Sequence, residues 1–203
     1  MFAIIEAAGW PIWPLLLASV IALAIIGERA WSLRTSAVAP NHLLDQVIKD
    51  YRQGGINPQT LTQLAHGSPL GQVFATGLRN SRNSPLVMKE ALDDTGRAVT
   101  HELERFLTAL GTIASISPLL GLLGTVIGMI EIFGSQTPTG GSNPIILAHG
   151  ISVALYNTAF GLIIAIPSMI FYRYYRGKVD ALVMEMERQA IKLVEILHHE
   201  RAA

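Results

Sequence analysis

Residues 106–172 read FLTALGTIASISPLLGLLGTVIGMIEIFGSQTPTGGSNPIILAHGISVALYNTAFGLIIAIPSMIFY, a stretch with no Lys or Arg and a single acid, Glu131. Because a spanning helix needs about 20 apolar residues, it is long enough to cross a bilayer twice. Two apolar runs, 106–133 and 145–172, flank the polar segment 134–144, so the expectation is two intramembrane helices joined by a short turn. Each run gathers Gly and Ala on one helical face and sets one threonine within that face, Thr125 in the first and Thr158 in the second. Small side chains let helix backbones approach closely where lipid supplies no hydrophobic drive, so such a face is built to meet other helices.

Upstream, Ile12 to Ile26 forms a third apolar run, with Trp10 and Trp13 at one end and Trp31 at the other, as aromatic belts at two interfaces would stand. Span one is therefore 10–31, with Pro11 and Pro14 in its opening turn. The fold class that follows is all-α: an integral membrane protein with three transmembrane helices, two of them long and extending into a helical cytoplasmic region. Composition agrees, with 50% hydrophobic and 15% charged residues, against about 25% charged in soluble domains.

The opening MFAIIEAAGW lacks the basic start of a secretory signal, and the run after it ends in Glu28-Arg29 without a small-residue cleavage site, so a retained span is expected. With no cysteine, disulfides and thiolate metal sites are excluded. A net charge of zero argues against a nucleic-acid partner.

Basic residues set the orientation. Nine run from Arg29, in the last turn of span one, to Arg105, just before span two, and six follow span three, from Arg173 to Arg201; segments 1–9 and 134–144 have none. The positive-inside rule puts both basic blocks in the cytoplasm and the N-terminus and the turn outside, which in a Gram-negative cell is the periplasm. The bacterial inner membrane is then the expected location, with lipid around all three spans.

The cytoplasmic block 32–105 is punctuated like a folded region. Asn57-Pro58, Ser68-Pro69 and Ser84-Pro85 each pair a capping residue with proline at the first helical position, and Gly54-Gly55 closes the helix before them. Short amphipathic helices are predicted over 41–53, 59–66 and 71–82. After Pro85 the apolar positions keep helical spacing into span two with no breaker before Pro118, predicting one long helix. Span three opens at a further cap, Asn143-Pro144, and its spacing continues through the cytoplasmic segment 173–203 as a stripe from Val179 to Leu197. One chain offers too little else to cover these stripes, so a homo-oligomer is expected.

On a helical wheel, Gly111, Ala114, Pro118, Gly121, Thr125 and Gly128 share one face of span two, and Gly124 to Gly128 is a GxxxG. Ala154, Thr158, Gly161 and Ala165 form the matching face of span three, with Asn157 and Ser168 at its edges. Two readings of the threonines stand side by side: a hydroxyl bonded to the carbonyl one turn back, or a hydroxyl on a hydrated path. Pro118 and Pro167 are likewise either tolerated bends or openings in the backbone. Glu131 and His149 lie near the outer ends of their helices, within reach of the interface. His42, His66, His101, His198 and His199 have no metal-ligand spacing with acids.

A proton-driven membrane machine needs a titratable group near mid-membrane, and neither span two nor span three has one at that depth. If this chain handles protons, a partner helix brings the carboxylate. Thr125, Asn157 and Thr158 could then hydrogen-bond that group or a water chain.

The segment LGTIASISPLLGLLGTVIGMIEIF, 110–133, followed by HGISVALYNTAFGLIIAIPSMIFYRYY, 149–175, closely resembles the ExbB/TolQ/MotA family of proton-channel subunits. Three spans and this length look like the ExbB/TolQ branch, nearest ExbB, rather than the four-span MotA type. The resemblance implies a pentamer whose spans two and three line a pore. That pore houses an ExbD-like single-span partner whose helix carries an intramembrane Asp, and the motor energises a TonB-like protein. Thr125 and Thr158 match the family's pore-facing threonines and Pro118 its proline; where some members have Glu, this chain has Val153. A path here would then rest on Thr125, Thr158 and the partner's Asp. The alternatives are a TolQ-like subunit of an envelope-integrity system and a non-conducting scaffold. No nucleophile, acid pair or metal cluster converges, so enzymatic activity and a cofactor are not expected.

Overall fold

The computed structural model describes residues 9–53, 57–81, 83–134 and 144–202. Expectations placed on residues 1–8, Gly54-Gly55, most of the polar turn and the Asn143 cap lie outside that set, as do the side chains of His149, His198 and His199. Among the described residues all regular structure is helical: α1 Ile12–Ser32, α2 Thr35–Val38, α3 Leu43–Arg52, α4 Pro58–Gly67, α5 Pro69–Arg79, α6 Pro85–Leu103, α7 Leu107–Gly134 and α8 Pro144–Ala202. Three stretches are long and apolar enough to cross a membrane, Ile12–Ser32, Leu107–Gly134 and, within α8, Gly150–Leu197. The fold is thus all-α with three candidate spans. Helices suit lipid because every backbone donor and acceptor is satisfied within the segment.

The chain divides into two compact units, one of Met1–Glu28 and Phe106–Tyr174, the other of Arg29–Arg105 and Tyr175–Ala203. The second unit is the expected helical region. Its core holds Leu70, Val73, Phe74 and Leu78 of α5, Met88 and Val99 of α6, and Val179, Leu182, Met186 and Leu193 of α8, all buried. Gly77 marks where these helices meet: a Cβ there would touch Leu92 Cδ2 at 3.5 Å, Leu193 Cδ2 at 3.7 Å and Met88 Cε at 3.7 Å. A polar residue interrupts the stripe of α8, where buried Gln189 donates from Nε2 to Glu185 at 2.7 Å, one turn back on the same helix.

Two of the three proposed caps act through their side chains. Ser68 Oγ accepts from the Gly71 N–H at 3.0 Å and Ser84 Oγ from the Val87 N–H at 3.4 Å. Asn57 precedes α4 in extended conformation but makes no side-chain cap bond, which corrects the expectation for that position. Removing an N-cap hydroxyl costs typically ~1 kcal/mol. Ser68→Ala is therefore expected to lower the thermal unfolding midpoint in detergent measurably, and Ser84→Ala, with its longer bond, by less.

One expectation about the helices fails. The unbroken helix predicted from Pro85 into span two is interrupted at residues 104–106: α6 stops at Leu103, Phe106 takes φ 66°, and α7 begins at Leu107. The physical reason is tertiary rather than local. Arg29, near the end of α1 and only 6% exposed, donates from Nη1 to the Leu103 carbonyl at 3.1 Å and so gives a side-chain partner to a carbonyl at the end of α6, from 74 residues away.

Candidate functional site

The first unit contains the two small-residue faces, and they meet one another within a single chain. Ala114, Ser117, Gly121 and Gly124 of α7 are buried, as are Ala154, Asn157, Gly161, Ala165 and Ser168 of α8. The approach is backbone to backbone at the centre. A Cβ added to Gly121 would lie 2.6 Å from the Asn157 carbonyl oxygen and 2.9 Å from Thr158 Cα; one added to Gly161 would lie 2.5 Å from the Ser117 carbonyl oxygen and 3.2 Å from Gly121 Cα. No helix with side chains at both positions could come so near. Gly128 continues the seam against Ala154 Cβ at 3.1 Å, while Gly111 closes it at the other end against the Tyr172 ring, also 3.1 Å from its added Cβ.

Polar side chains in the seam use the helices' own carbonyls. Ser117 Oγ donates to the Ile113 carbonyl at 2.7 Å and Ser168 Oγ to the Ile164 carbonyl at 2.7 Å. Ser115, facing away from the seam, donates to the Gly111 carbonyl at 2.9 Å. Pro118 lacks an N–H and so leaves the Ala114 carbonyl without its usual partner, yet α7 runs through it. Pro167 likewise sits inside α8 without ending it.

Asn157 is 2% exposed and wedged against Gly124, whose added Cβ would be 2.8 Å from Asn157 Cβ and Cγ and 3.0 Å from Nδ2. It lies in the seam itself. Thr125 and Thr158 are half-buried, at the seam's edge, and Pro118 is half-buried as well. The Thr125 hydroxyl donates to the Leu122 carbonyl at 2.7 Å. A hydroxyl has one proton to give and two lone pairs, so with its proton committed Thr125 is left as an acceptor on a half-open surface. Beside it a shallow concave surface continues along α7 through Val126, Met129, Ile130 and Phe133. Glu131, one turn before the helix end, is exposed.

Two seam residues, Gly124 and Ser117, are absent from the set that the helical wheel picked. The GxxxG pattern at Gly124 carried the signal for the first, because a glycine four residues from another on an apolar helix marks close approach. For Ser117, next to Pro118, burial was not legible: a serine can sink into a seam only if a carbonyl one turn back takes its proton, and that is a geometric fact.

A sequence profile described as the MotA/TolQ/ExbB proton channel family matches residues 65–188. The chain is 33% identical to the ExbB-like 3 biopolymer transport protein of Synechocystis, over 93% of this chain and 91% of that one. It is 32% identical to the biopolymer transport protein exbB1 of Vibrio cholerae, over 81% of this chain and 74% of the relative. Similarity to the Tol-Pal system protein TolQ of Pseudomonas aeruginosa is also 32%, over 74% of this chain and 67% of the relative.

Proposed function

Because the chain belongs to the MotA/TolQ/ExbB proton channel family, we propose that it is the channel-forming subunit of an inner-membrane motor in which Thr125 and Thr158 line the proton path. Membership makes it a membrane motor subunit that oligomerises and works with an ExbD- or TolR-like partner. The finer reading is an ExbB-type subunit, N-terminus outside and C-terminus in the cytoplasm, assembled as a pentamer around the single-span helices of an ExbD-like protein. Proton flow would then energise a TonB-like protein for outer-membrane transport.

The observation that carries the reading is the placing of the two threonines. Both stand half-buried at the edge of a seam whose interior is closed by glycine and backbone, and Thr125 keeps its lone pairs open to a donor. A partner's protonated carboxyl, or a water carrying its proton, is such a donor. Pro118 flanks this edge and Asn157 backs it from within the seam. The driving force is adequate: one charge through 100 mV is worth about 2.3 kcal/mol, and transfers repeat.

The test is reconstitution. Liposomes holding this chain together with a single-span protein that has one intramembrane Asp are expected to pass protons down an imposed gradient, and Asp→Asn in the partner is expected to stop the flow. Equal flux from this chain alone would sink the reading. The similarity to a TolQ protein supports a second one, a Tol-type complex supporting envelope integrity. Deleting the gene separates them: loss of iron-chelate uptake marks the first, and detergent sensitivity with division defects the second.

A further inference from the structure

In the unit built from Arg29–Arg105 and Tyr175–Ala203, the side of α8 that carries Val179, Leu182, Met186, Gln189, Leu193 and Leu197 is buried. The stripe expected to need a second copy is therefore covered within one chain. The opposite side is open. Gly177, Ala181, Met184, Arg188, Ile191 and Glu195 recur in alternating steps of four and three residues, and all are exposed. That spacing sets them on one helical face. Seven charged residues between 178 and 195 keep this part of α8 out of hydrocarbon, yet Met184 is 64% exposed and Ile191 59%.

A second open face lies on α6, where Leu86 is 76% and Val87 44% exposed. Apart from Trp31, these four are the large apolar side chains exposed among the described residues of this unit. The α6 face continues through Glu90, Asp93 and Asp94, all exposed. Among the described residues none of the three acids has an ion-pair partner in its own chain. The α8 face, by contrast, has Arg188 at its middle.

Two contacts fix how α6 and α8 run past each other. Arg176 Nη2 lies 3.4 Å from Glu104 Oε1, and Leu193, Leu92 and Met88 close together around Gly77. The helices are antiparallel, with Arg188 twelve residues along α8 from the first contact and Asp93 eleven back along α6. Ile191 and Glu90 are fifteen and fourteen away. Both helices rise equally per residue, so each pair shares a level. Copies in one membrane stand side by side about an axis along its normal, and levels carry over from one copy to the next.

We propose that the 184–191 face of α8 docks on the 86–94 face of α6 in a second copy of this chain, apolar ends together and Arg188 against Asp93 and Asp94. Because the two faces differ, the contact is heterologous, and its repetition around the axis closes a ring. Arg188 holds Glu185 of its own helix at 2.7 Å, and a guanidinium with five donors has N–H groups left for an acid of the neighbour. The contact rests on the oligomer proposed above and adds the surface that joins its copies in water.

The chain has no cysteine, so single cysteines report the contact without background in the full-length protein in its membrane. Two differently tagged copies, one with Glu90→Cys and the other with Ile191→Cys, are produced together and oxidised. A covalent dimer carrying both tags is expected, several-fold above the dimers formed by either variant alone. Arg188→Glu in the Ile191→Cys copy is expected to lower that yield several-fold. Asp93→Arg with Asp94→Arg in the other copy should then restore it, which no folding defect in α8 would allow. An unchanged yield with Arg188→Glu, or a loss without rescue, overturns the assigned pairing. An excess of like-tag dimers, or an oligomer of parental size without the mixed dimer, overturns the docking while the oligomer stands. A monomeric parent overturns both.

Discussion

Gly121→Leu is expected to abolish the assembled protein. The added Cβ alone would meet the Asn157 carbonyl oxygen at 2.6 Å and Thr158 Cα at 2.9 Å, both backbone atoms that no rotamer change can move. Overpacking a core costs typically 1–3 kcal/mol where side chains give way, and here the helices themselves must separate, so about 3 kcal/mol is a lower estimate. Separation also strips the contacts at Gly124, Gly128 and Gly161. The measurement is the amount of detergent-stable oligomer on size exclusion, with Gly96→Leu as a control, since nothing lies within 4 Å of a Cβ at that position. Parental levels of oligomer for Gly121→Leu would mean that spans two and three do not pack through this seam in the membrane.

Removing the threonine hydroxyls should have the opposite profile, intact assembly with loss of flow. Thr125 and Thr158 are half-buried at the edge of the seam, so Thr→Val keeps shape and β-branching while deleting only the polar group. A hydrogen bond to a charged group contributes about 1.5–3 kcal/mol. At about 1.4 kcal/mol per factor of ten, losing one such bond in the rate-limiting transfer slows proton flux roughly ten- to hundredfold. Thr125→Ser keeps a hydroxyl able to donate to the Leu122 carbonyl and to accept from outside, and should retain most of the flux. Flux into liposomes holding the complex, at matched protein, is the measurement. If Thr125→Val and Thr158→Val both conduct like the parent, these hydroxyls serve only their own helices.

Sequence made the membrane architecture legible because hydropathy and the spacing of small residues are local signals that lipid enforces. Three apolar runs became three candidate spans, and the glycine faces of 111–128 and 154–165 proved to be where the two helices touch. What the pattern could not tell was which partner each face would meet, its own chain or a neighbour's. Nor could it separate the interior of the seam from its edge: Asn157 and Thr158 are adjacent in sequence, yet one is wedged against Gly124 and the other is half open. The interruption at 104–106 was illegible for a different reason. The carbonyl at the end of α6 takes its side-chain donor from Arg29, far away in sequence, and local propensity around Phe106 points the other way.

The closeness of the seam also limits how such a subunit can move. Where carbonyl oxygens and Cα atoms occupy the space that a methyl group would need, the two helices have no slack to slide or roll past each other without losing the whole contact. The pair therefore has the degrees of freedom of one rigid body. A displacement powered by proton transfer is then not taken up as a shear inside one chain's own helix pair.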